Sequence, residues 1–483
     1  MPGRWCSRPR EVFILINELS SLSKALEQAG IVPLQSYRNY IPLPNVSAKA
    51  PCIRIWVKGG QVVDFEALDR ALAMQLRKFG SNQASFPGLH LISLYRVTDE
   101  SEKKLVAQCI EKPESIDALQ LHALCKENAW EPHQNSRIKN CFSKTPKKMI
   151  ELLETESPVA LHGYSPSLGI DSVREAVAVS LEKRFGLPYK KEHIFMCSGA
   201  AAALAHAFRA VTVPGDSILT FAPFFPEYNP YVNLTGAKLK VVPPDLKVFQ
   251  IDFEKFETML TNDVTAVLIN TPNNPSGIVY TTDTVRELAR IMEKKAVEYG
   301  HEIYLISDEP YREIVFEGVD APFIAKYYPN TITCYSFSKS LSLPGERIGY
   351  VAVSPSCNEA ETIVDMCGQI SRGIGHNCPA SLIQLAVADC LYDTADLSVY
   401  EKNANILYDA LTGMGFEIVR PGGTFYMFPK APEPDAVAFC KRAMKQDLLL
   451  VPGDTFGCPG YFRMAYCIET EKVERSLYAF RKL

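Results

Sequence analysis

The sequence lacks the features that would tie the chain to a membrane, a disulfide framework or a nucleic acid. No stretch approaches 18 consecutive apolar residues, and the N-terminal run VFILI ends at Asn17, too early for the core of a signal peptide. The 14 cysteines contain no C-x-x-C pair, and their scatter is typical of reduced thiols rather than of disulfides or a zinc site. A net charge of -4 gives no general attraction to nucleic acid. We therefore expect a cytoplasmic protein with no metal site.

The length of 483 residues is too great for one ordinary core and predicts two or three domains. From about Leu161, continuous apolar strands alternate with helices, which predicts a mainly parallel sheet with helices on both faces. After Tyr350 the pattern changes to a smaller α+β domain. The expected fold class is therefore α/β, with an extra N-terminal α+β segment. The predicted boundaries follow: 1–120 unassigned, 121–160 linker or arm with a first helix, 161–350 large domain, 351–483 small domain.

The first 120 residues carry no phosphate loop, metal cluster or catalytic constellation. ELSSLSKALEQAG and FEALDRALAMQLRKFG are typical of amphipathic helices. PCIRIWVKGGQVVDF predicts a β-hairpin that turns at Gly59-Gly60. None of these elements suggests a chemistry.

The stretch YSFSKSLSLPGERIGY, residues 335–350, surrounds one lysine with hydroxyl side chains and places an arginine eight residues later. Ser336 and Lys339 fit S-x-x-K, the nucleophile motif of penicillin-binding enzymes, but that chemistry also needs a downstream K-T-G. The Lys-Thr pair at 144–145 lies upstream and precedes a proline, so a hydrolase is disfavoured. Two interpretations remain: Lys339 forms a Schiff base with an aldehyde, or it is a solvated lysine in a surface loop.

Groups that suit a phosphate and a flat ring follow the first strands of the large domain. Ser198, Gly199 and Ala200 stand where a strand meets a helix, and free backbone N–H groups with the helix dipole suit an anion there. Alternatively, Ser-Gly forms an ordinary tight turn without a binding function. In APFFPEY, Phe224 or Phe225 suits a planar ring, although aromatic residues near a turn are also common in cores.

Two later strand ends add an amide and an acid. Asn274, in NTPNNPSG, stands in a turn from which its amide can point into a cleft, although these residues also form turns without any function. Asp308 and Tyr311 follow the strand in ISDEPY. An acid at the end of an apolar strand is costly to bury alone, so Asp308 needs a cationic partner unless it is a helix N-cap.

The order of these groups matters more than any one of them, because ligands bind at the carboxyl ends of parallel strands. Together they describe a site for a planar, phosphorylated, nitrogen-containing aldehyde, which is pyridoxal 5'-phosphate. Lys339 would hold it as an imine, and Asp308 would keep its ring nitrogen protonated, so that the ring becomes an electron sink. Asn274 and Tyr311 would bond the phenolic oxygen. The phosphate would be bound by three groups: Ser336, the planar fork of Arg347 and the Ser198–Ala200 turn.

This constellation resembles the fold-type I, aspartate-aminotransferase-like family of pyridoxal-phosphate enzymes. The resemblance covers about residues 161–483. Its most specific piece is S-F-S-K with Arg347 eight residues after the lysine. The matching stretches are YSPSLGIDSVREAVA, CSGAAAA, APFFPEY, NTPNNPSG, SDEPYRE, SFSKSLSLPGERIGY, PGGTFYMF and YFRMAY.

The resemblance implies a role for each matching residue. Phe225 should stack on the cofactor ring, and Tyr164 should reach the phosphate of the neighbouring subunit in a homodimer. Arg463 should clamp the substrate α-carboxylate, with Asn274 beside it. The catalytic set would be Lys339 as Schiff-base and proton-transfer group, Asp308 and Tyr311.

The match fails before residue 161. Family members usually carry an arm with a Gly-x-Pro-like piece that helps to cover the substrate, yet no glycine occurs between Gly88 and Gly163. TPKKMIELLE is typical of the helix that follows such an arm. The chain is therefore interpreted as a fusion, or as an enzyme whose site entrance differs from that of the family.

The leading functional interpretation is an aminotransferase that moves an amino group from an amino acid to a 2-oxo acid. A β-eliminating carbon–sulfur lyase uses the same motifs and stays open. A transcription regulator with an aminotransferase-like domain is a third alternative, but the N-terminal segment lacks a compact helix-turn-helix with a basic recognition helix. Arg372 lies where this family can project a loop into the neighbouring site, and it is equally typical of a solvated surface arginine.

Overall fold

The structure, a computed structural model, describes residues 144–394, 396 and 398–483, together with six β-strands nearer the N-terminus. The chain divides into two compact units, Met1–Gln134 and Asn135–Leu483. The finer division into domains predicted from the sequence stays a prediction.

The described part of the N-terminal unit consists of β-strands. Four of them form a sheet in the order β1-β6-β3-β2, in which β1 and β6 are parallel, and β4 pairs with β5. The strands are β1 Glu11–Leu15, β2 Pro33–Asn39, β3 Cys52–Val57, β4 Val62–Asp64, β5 Gln83–Ser85 and β6 His90–Tyr95.

The predicted hairpin across Gly59-Gly60 is wrong, because its two strands do not pair with each other. Both edges of β3 are already occupied, by β2 and by β6. The strand that follows the two glycines, β4, therefore pairs elsewhere, with β5. The two predicted amphipathic helices of this unit lie outside the described residues.

The second unit alternates helices and strands. Its helices are α1 Thr145–Thr155, α2 Pro158–His162, α3 Asp171–Phe185, α4 Ala200–Val211, α5 Tyr228–Asn233, α6 Phe253–Met259, α7 Thr282–Tyr299, α8 Phe337–Ser340, α9 Ala360–Gly373, α10 Ser381–Ala388, α11 Ser398–Gly413, α12 Ala436–Met444 and α13 Thr470–Phe480. Its strands are β7 Ile194–Cys197, β8 Ser217–Phe221, β9 Lys238–Val242, β10 Val264–Asn270, β11 Tyr304–Asp308, β12 Thr331–Ser336, β13 Gly349–Val353, β14 Tyr426–Met427, β15 Val451–Pro452 and β16 Phe462–Ala465.

Seven of these strands form the central sheet, in the order β7-β13-β12-β11-β10-β8-β9. Only β13 runs antiparallel to its neighbours within this sheet. Strands such as β8 and β13 are buried along their whole length, as the continuous apolar runs predicted, because helices cover both faces. The predicted α/β class with a mainly parallel sheet is confirmed.

Helices α4 and α7 show how the sequence sets the local structure. The hydroxyl of Thr281 accepts the N–H of Thr284 at 3.1 Å and caps the start of α7, and Gly300 ends it in the left-handed conformation at φ 71°. Helix α4 is rich in alanine. Ala203 and Ala207 are fully buried, which lets the helix lie close to the sheet.

The C-terminal part carries a second, small sheet in the order β14-β16-β15, with antiparallel pairing. Phe439 and Phe462 are fully buried in the core beneath it, together with side chains of α11 and α13. This is the smaller α+β region that the sequence predicts. Within the described residues, no helix is both long enough and apolar enough to cross a membrane.

Candidate active site

A cavity of about 340 Å³ lies at the carboxyl ends of β10, β11 and β12. Its position agrees with the expectation that ligands bind at this edge of a parallel sheet. Its volume falls in the range of small-molecule sites. Its lining residues are Ala200, Ala201, Leu204, Phe225, Tyr231, Asn270, Asn274, Asp308, Pro310, Tyr311, Ser336, Ser338, Lys339, Pro344, Arg347, Tyr426 and Arg463.

Asp308 is the buried acid at one side of this cavity. Its Oδ2 atom accepts the hydroxyl of Tyr228 at 2.5 Å, and the amide of Asn270 donates to its backbone carbonyl at 2.8 Å. Its Oδ1 atom is buried and has no hydrogen-bond partner among the described residues. Burial raises the pKa of Asp308 to about 7, although the bond from Tyr228 acts in the opposite direction.

This arrangement fits a cation placed against Oδ1. A carboxylate whose second oxygen lacks a partner carries a desolvation cost that a positively charged donor would offset. Burial also raises the pKa of Tyr228 well above its ordinary value, so the phenol stays protonated and donates to Oδ2. Oδ1 can therefore accept a hydrogen bond from a ligand. The protonated ring nitrogen of pyridoxal phosphate satisfies this requirement.

The opposite side of the site suits a phosphate. Gly199 has φ 86°, a conformation that only glycine adopts readily, and a Cβ there would lie 3.0 Å from Arg347 Nη2. Arg347 donates to the carbonyl of Ser198 at 3.4 Å and to that of Pro344 at 2.9 Å. The turn thus brings the guanidinium of Arg347 close to the start of α4. The first N–H groups of that helix have no partner within the helix and can bind an anion.

Lys339 lines the same cavity as Asp308 and Arg347. It belongs to the short helix α8, which Ser336 caps by accepting the N–H of Ser338 at 3.2 Å. Its Nζ atom is 6.0 Å from the ring centroid of Tyr311 and 5.5 Å from that of Phe425. Burial and the neighbouring Tyr426 raise the pKa of Tyr311 well above its ordinary value, so Tyr311 is a hydrogen-bond donor at neutral pH.

Arg463 also lines the cavity. Its Nη1 donates to Oδ1 of Asn274 at 3.0 Å, and its guanidinium lies 4.6 Å from the ring centroid of Tyr426 and 5.0 Å from that of Phe456. No acidic side chain of the described part of the chain forms an ion pair with Arg463. A structural ion pair between Arg463 and a distant acid is therefore absent from that part of the chain. The fork is available for a carboxylate ligand.

Two of the predicted residues lie away from the cavity. Tyr164 is fully exposed on the protomer surface, and Arg372 is exposed near the end of α9. Their assignment to a neighbouring subunit's site stays a prediction. Of the two candidate ring-stacking residues, Phe225 lines the cavity and Phe224 is buried in the core behind it.

The sequence reading missed several residues that the fold brings to this site. Tyr228 stands in APFFPEY, a stretch that predicts a role only for its phenylalanines. Asn270 ends the apolar strand β10 as Asp308 ends β11, and the same signal of a polar residue at a strand end identifies it. Tyr231 and Tyr426 also line the cavity, and no local pattern distinguishes them from core tyrosines.

The family model of aminotransferase class I and II matches residues 135–480. The chain belongs to this family. An aspartate aminotransferase of Thermotoga maritima is 30% identical over 322 residues, which cover 65% of this chain and 81% of that protein. Aromatic-amino-acid aminotransferase 2 of Thermococcus litoralis is 30% identical over 356 residues, 70% of this chain and 88% of that protein.

Solved structures agree with the match. An amino transferase of Eubacterium rectale is 43% identical, with a TM-score of 0.69 over 70% of this chain and 86% of that one. The prediction of an aspartate-aminotransferase-like family member is confirmed, and the aminotransferase interpretation is confirmed at the level of the family. The match begins at residue 135, so the whole N-terminal unit, Met1–Gln134, lies outside it.

Proposed function

We propose that the cavity binds pyridoxal 5'-phosphate and that the chain transfers an amino group from an amino acid to a 2-oxo acid. The observation that carries the proposal is the buried Oδ1 atom of Asp308, which lacks a partner among the described residues while Oδ2 accepts Tyr228. When bound, the cofactor would supply a conjugated ring that accepts electrons from the bonds at the substrate Cα. Family membership supports the same cofactor.

The cofactor would be held by groups from several strand ends. Asp308 would keep a proton on the ring nitrogen, and Phe225 would cover one face of the ring. Tyr311 and the Asn274 amide would donate to the phenolic oxygen, because Asn274 already uses its Oδ1 to accept Arg463. The phosphate would be bound by Ser198, Gly199, Ala200, Ser336 and Arg347.

The catalytic step needs one base close to the substrate Cα. Lys339 would hold the cofactor through Nζ until the amine of the substrate displaces it, and the freed lysine amine would then accept the Cα proton at Nζ. Arg463 would bind the α-carboxylate with its planar fork and so orient the Cα–H bond toward Lys339. The rings of Tyr426 and Phe456 beside the guanidinium keep its position fixed.

A homodimer with shared sites is the proposed assembly. Tyr164 supports it, because its side chain is fully exposed on one protomer although it belongs to the stretch that resembles the family's phosphate-binding motif. We also propose a cytoplasmic location. The cysteines that the structure describes are free thiols, most of them buried, as expected of a reducing compartment.

Trapping the cofactor tests the proposal. Purified protein incubated with pyridoxal phosphate should show an imine absorbance band, and borohydride should fix the cofactor to Lys339. The Lys339→Ala variant should keep its fold and lose this fixation, whereas Lys326→Ala, on a surface turn before β12, should not. Equal fixation in the Lys339→Ala variant would show that another amine holds the cofactor. Pyruvate release without an added oxo acid would instead indicate the β-eliminating alternative.

A further inference from the structure

A cluster of charged and aromatic side chains lies on the face of the central sheet opposite the cavity. Arg312 is its centre: Nη2 donates to the hydroxyl of Tyr350 at 2.7 Å, Nη1 lies 3.2 Å from Glu309 Oε2, and Nε lies 3.3 Å from Glu313 Oε1. Its guanidinium lies 4.2 Å from the ring centroid of Tyr335. We call Glu309, Arg312, Glu313, Tyr335 and Tyr350 the arginine cluster.

The arginine cluster is buried and electrically balanced. The side chains of Arg312, Glu309 and Glu313 are 11%, 3% and 7% exposed. Arg184 reaches Glu313 from the surface at 3.0 Å, so two guanidinium groups face two carboxylates. Nearby arginines lower the pKa of Glu313 against the effect of burial. Removal of Arg312 would leave buried negative charge without its main partner.

Each member of the cluster is joined by the backbone to a proposed cofactor-binding group. Glu309 follows Asp308 directly, and Arg312 follows Tyr311. Tyr335 immediately precedes Ser336 and donates to Glu313 Oε2 at 2.8 Å.

Tyr350 connects the cluster to a third chain segment, the one that carries Arg347. It pairs with Tyr335 in the register of β12 and β13, and the two rings are stacked with centroids 4.8 Å apart. The cluster therefore ties together three chain segments: the one after β11, the end of β12 and the start of β13.

We propose that Arg312 is a positioning residue, which holds these three segments in the arrangement that binds the cofactor without touching the cofactor itself. The inference rests on the proposed function. Buried ion pairs rarely stabilise a fold more than well-packed apolar residues do, whereas they impose a defined geometry. A fork that donates in several directions in one plane suits that task, and lysine cannot replace it.

The test compares two buried arginines in the full-length protein. Arg312→Met keeps the length of the side chain and removes the fork. Arg174→Met is the matched control, because Arg174 is also buried, pairs with Asp171 at 3.0 Å and donates to the carbonyl of Ile194 at 2.8 Å. That carbonyl is at the end of β7 remote from Ser198. Both variants should lose thermal stability to a similar degree.

Three readouts separate positioning from stability alone. Pyridoxal phosphate should bind the Arg312→Met variant at least tenfold more weakly than the Arg174→Met variant, measured by quenching of protein fluorescence. The pH dependence of the bound-cofactor absorbance should shift in the Arg312→Met variant alone. Its kcat should fall by a larger factor than its KM rises, and Arg312→Lys should not restore the wild-type values.

The outcomes distinguish this inference from the proposed function. A wild-type chain that binds no pyridoxal phosphate overturns both. Wild-type binding together with equal affinity and equal pH dependence in the two methionine variants overturns the positioning role alone. If Arg312→Met does not fold, Tyr350→Phe removes only the hydroxyl that Arg312 holds, and unchanged affinity and absorbance in that variant overturn the inference as well.

Discussion

Asp308→Asn is the substitution whose effect can be worked out most fully from the structure. The pKa of Asp308 in the fold is about 7, against 3.8 for an ordinary aspartate, because the carboxyl is buried. At 1.36 kcal/mol for each tenfold change in acidity, the charged carboxylate costs the cofactor-free fold about 4 kcal/mol. Asparagine has nearly the same shape and never carries this charge.

The sign of the pH dependence follows from the direction of the change in pKa. Near pH 4 Asp308 is protonated in the folded chain and about half protonated in the unfolded chain. The destabilisation by its charge is therefore close to zero at this pH. Between the two pKa values the unfolded chain releases the proton and the folded chain keeps it, so the free energy of unfolding falls as the pH rises. Above pH 7 both states are ionised and the full cost is present.

Urea unfolding of the cofactor-free protein at several pH values provides the assay. The Asp308→Asn variant should be up to about 4 kcal/mol more stable than the wild type at pH 8, and the difference should nearly vanish at pH 4. Asp365→Asn, at an exposed position on α9, is the control and should show no such trend. With pyridoxal phosphate bound, the difference at pH 8 should shrink or reverse, because a cation then pairs with the wild-type carboxylate.

Two results would refute this reasoning. Equal stabilities of the cofactor-free variant and wild type at pH 8 would mean that the buried charge of Asp308 does not destabilise the fold. An undiminished difference after cofactor binding would mean that the ring nitrogen does not face Oδ1.

The remaining predictions concern the substrate and the assembly. Arg463→Lys keeps the charge and loses the fork, so kcat/KM should fall by roughly ten- to a thousandfold while the cofactor spectrum is unchanged. Arg420→Lys is its matched control, since Arg420 also donates to an asparagine, Asn405, and lies 4.8 Å from a tyrosine ring centroid; a similar loss in both variants would contradict the assignment. Mixing equal amounts of Tyr164→Ala and Lys339→Ala chains should restore about a quarter of wild-type activity, because about half of the dimers are hybrids and each hybrid has one complete site of two. An active monomer would exclude shared sites.

Local patterns were sufficient to predict much of the second unit. Continuous apolar strands and capped helices such as α7 report burial and backbone conformation directly, so the α/β class followed from them. Asp308 is predicted because an acid at the end of an apolar strand needs a partner, and Asn274 because the amide in its turn can point into a cleft at the sheet edge where ligands bind. The cavity is lined by these two residues and by Lys339, whose order along the chain indicates one site, and also by Arg463, which only the resemblance to the family implies.

Other features depend on pairings that no local pattern contains. Tyr228 and Asp308 are 80 residues apart, and their bond exists only because α5 packs beside the end of β11. The hairpin prediction failed for a similar reason: a glycine pair permits a turn but does not decide which strands become neighbours. The stretch SDEPYRE predicts a role for its acid and its tyrosine, whereas the role of the next residue, Arg312, depends on contacts with Tyr335 and Tyr350 on other strands.

The alternation of side chains along the strands explains why these two sets of residues can serve one site. Ile306 and Cys334 belong to the core that packs under α4, on the face where Asp308 meets the cavity. Tyr335 and Tyr350 belong to the opposite core, which packs under α3. A residue proposed to bind the cofactor, such as Ser336, and a residue of the arginine cluster, such as Tyr335, are therefore neighbours in sequence but point to different faces. Under the proposed positioning role of Arg312, the buried contacts on one face would hold the strand ends whose other face lines the cavity.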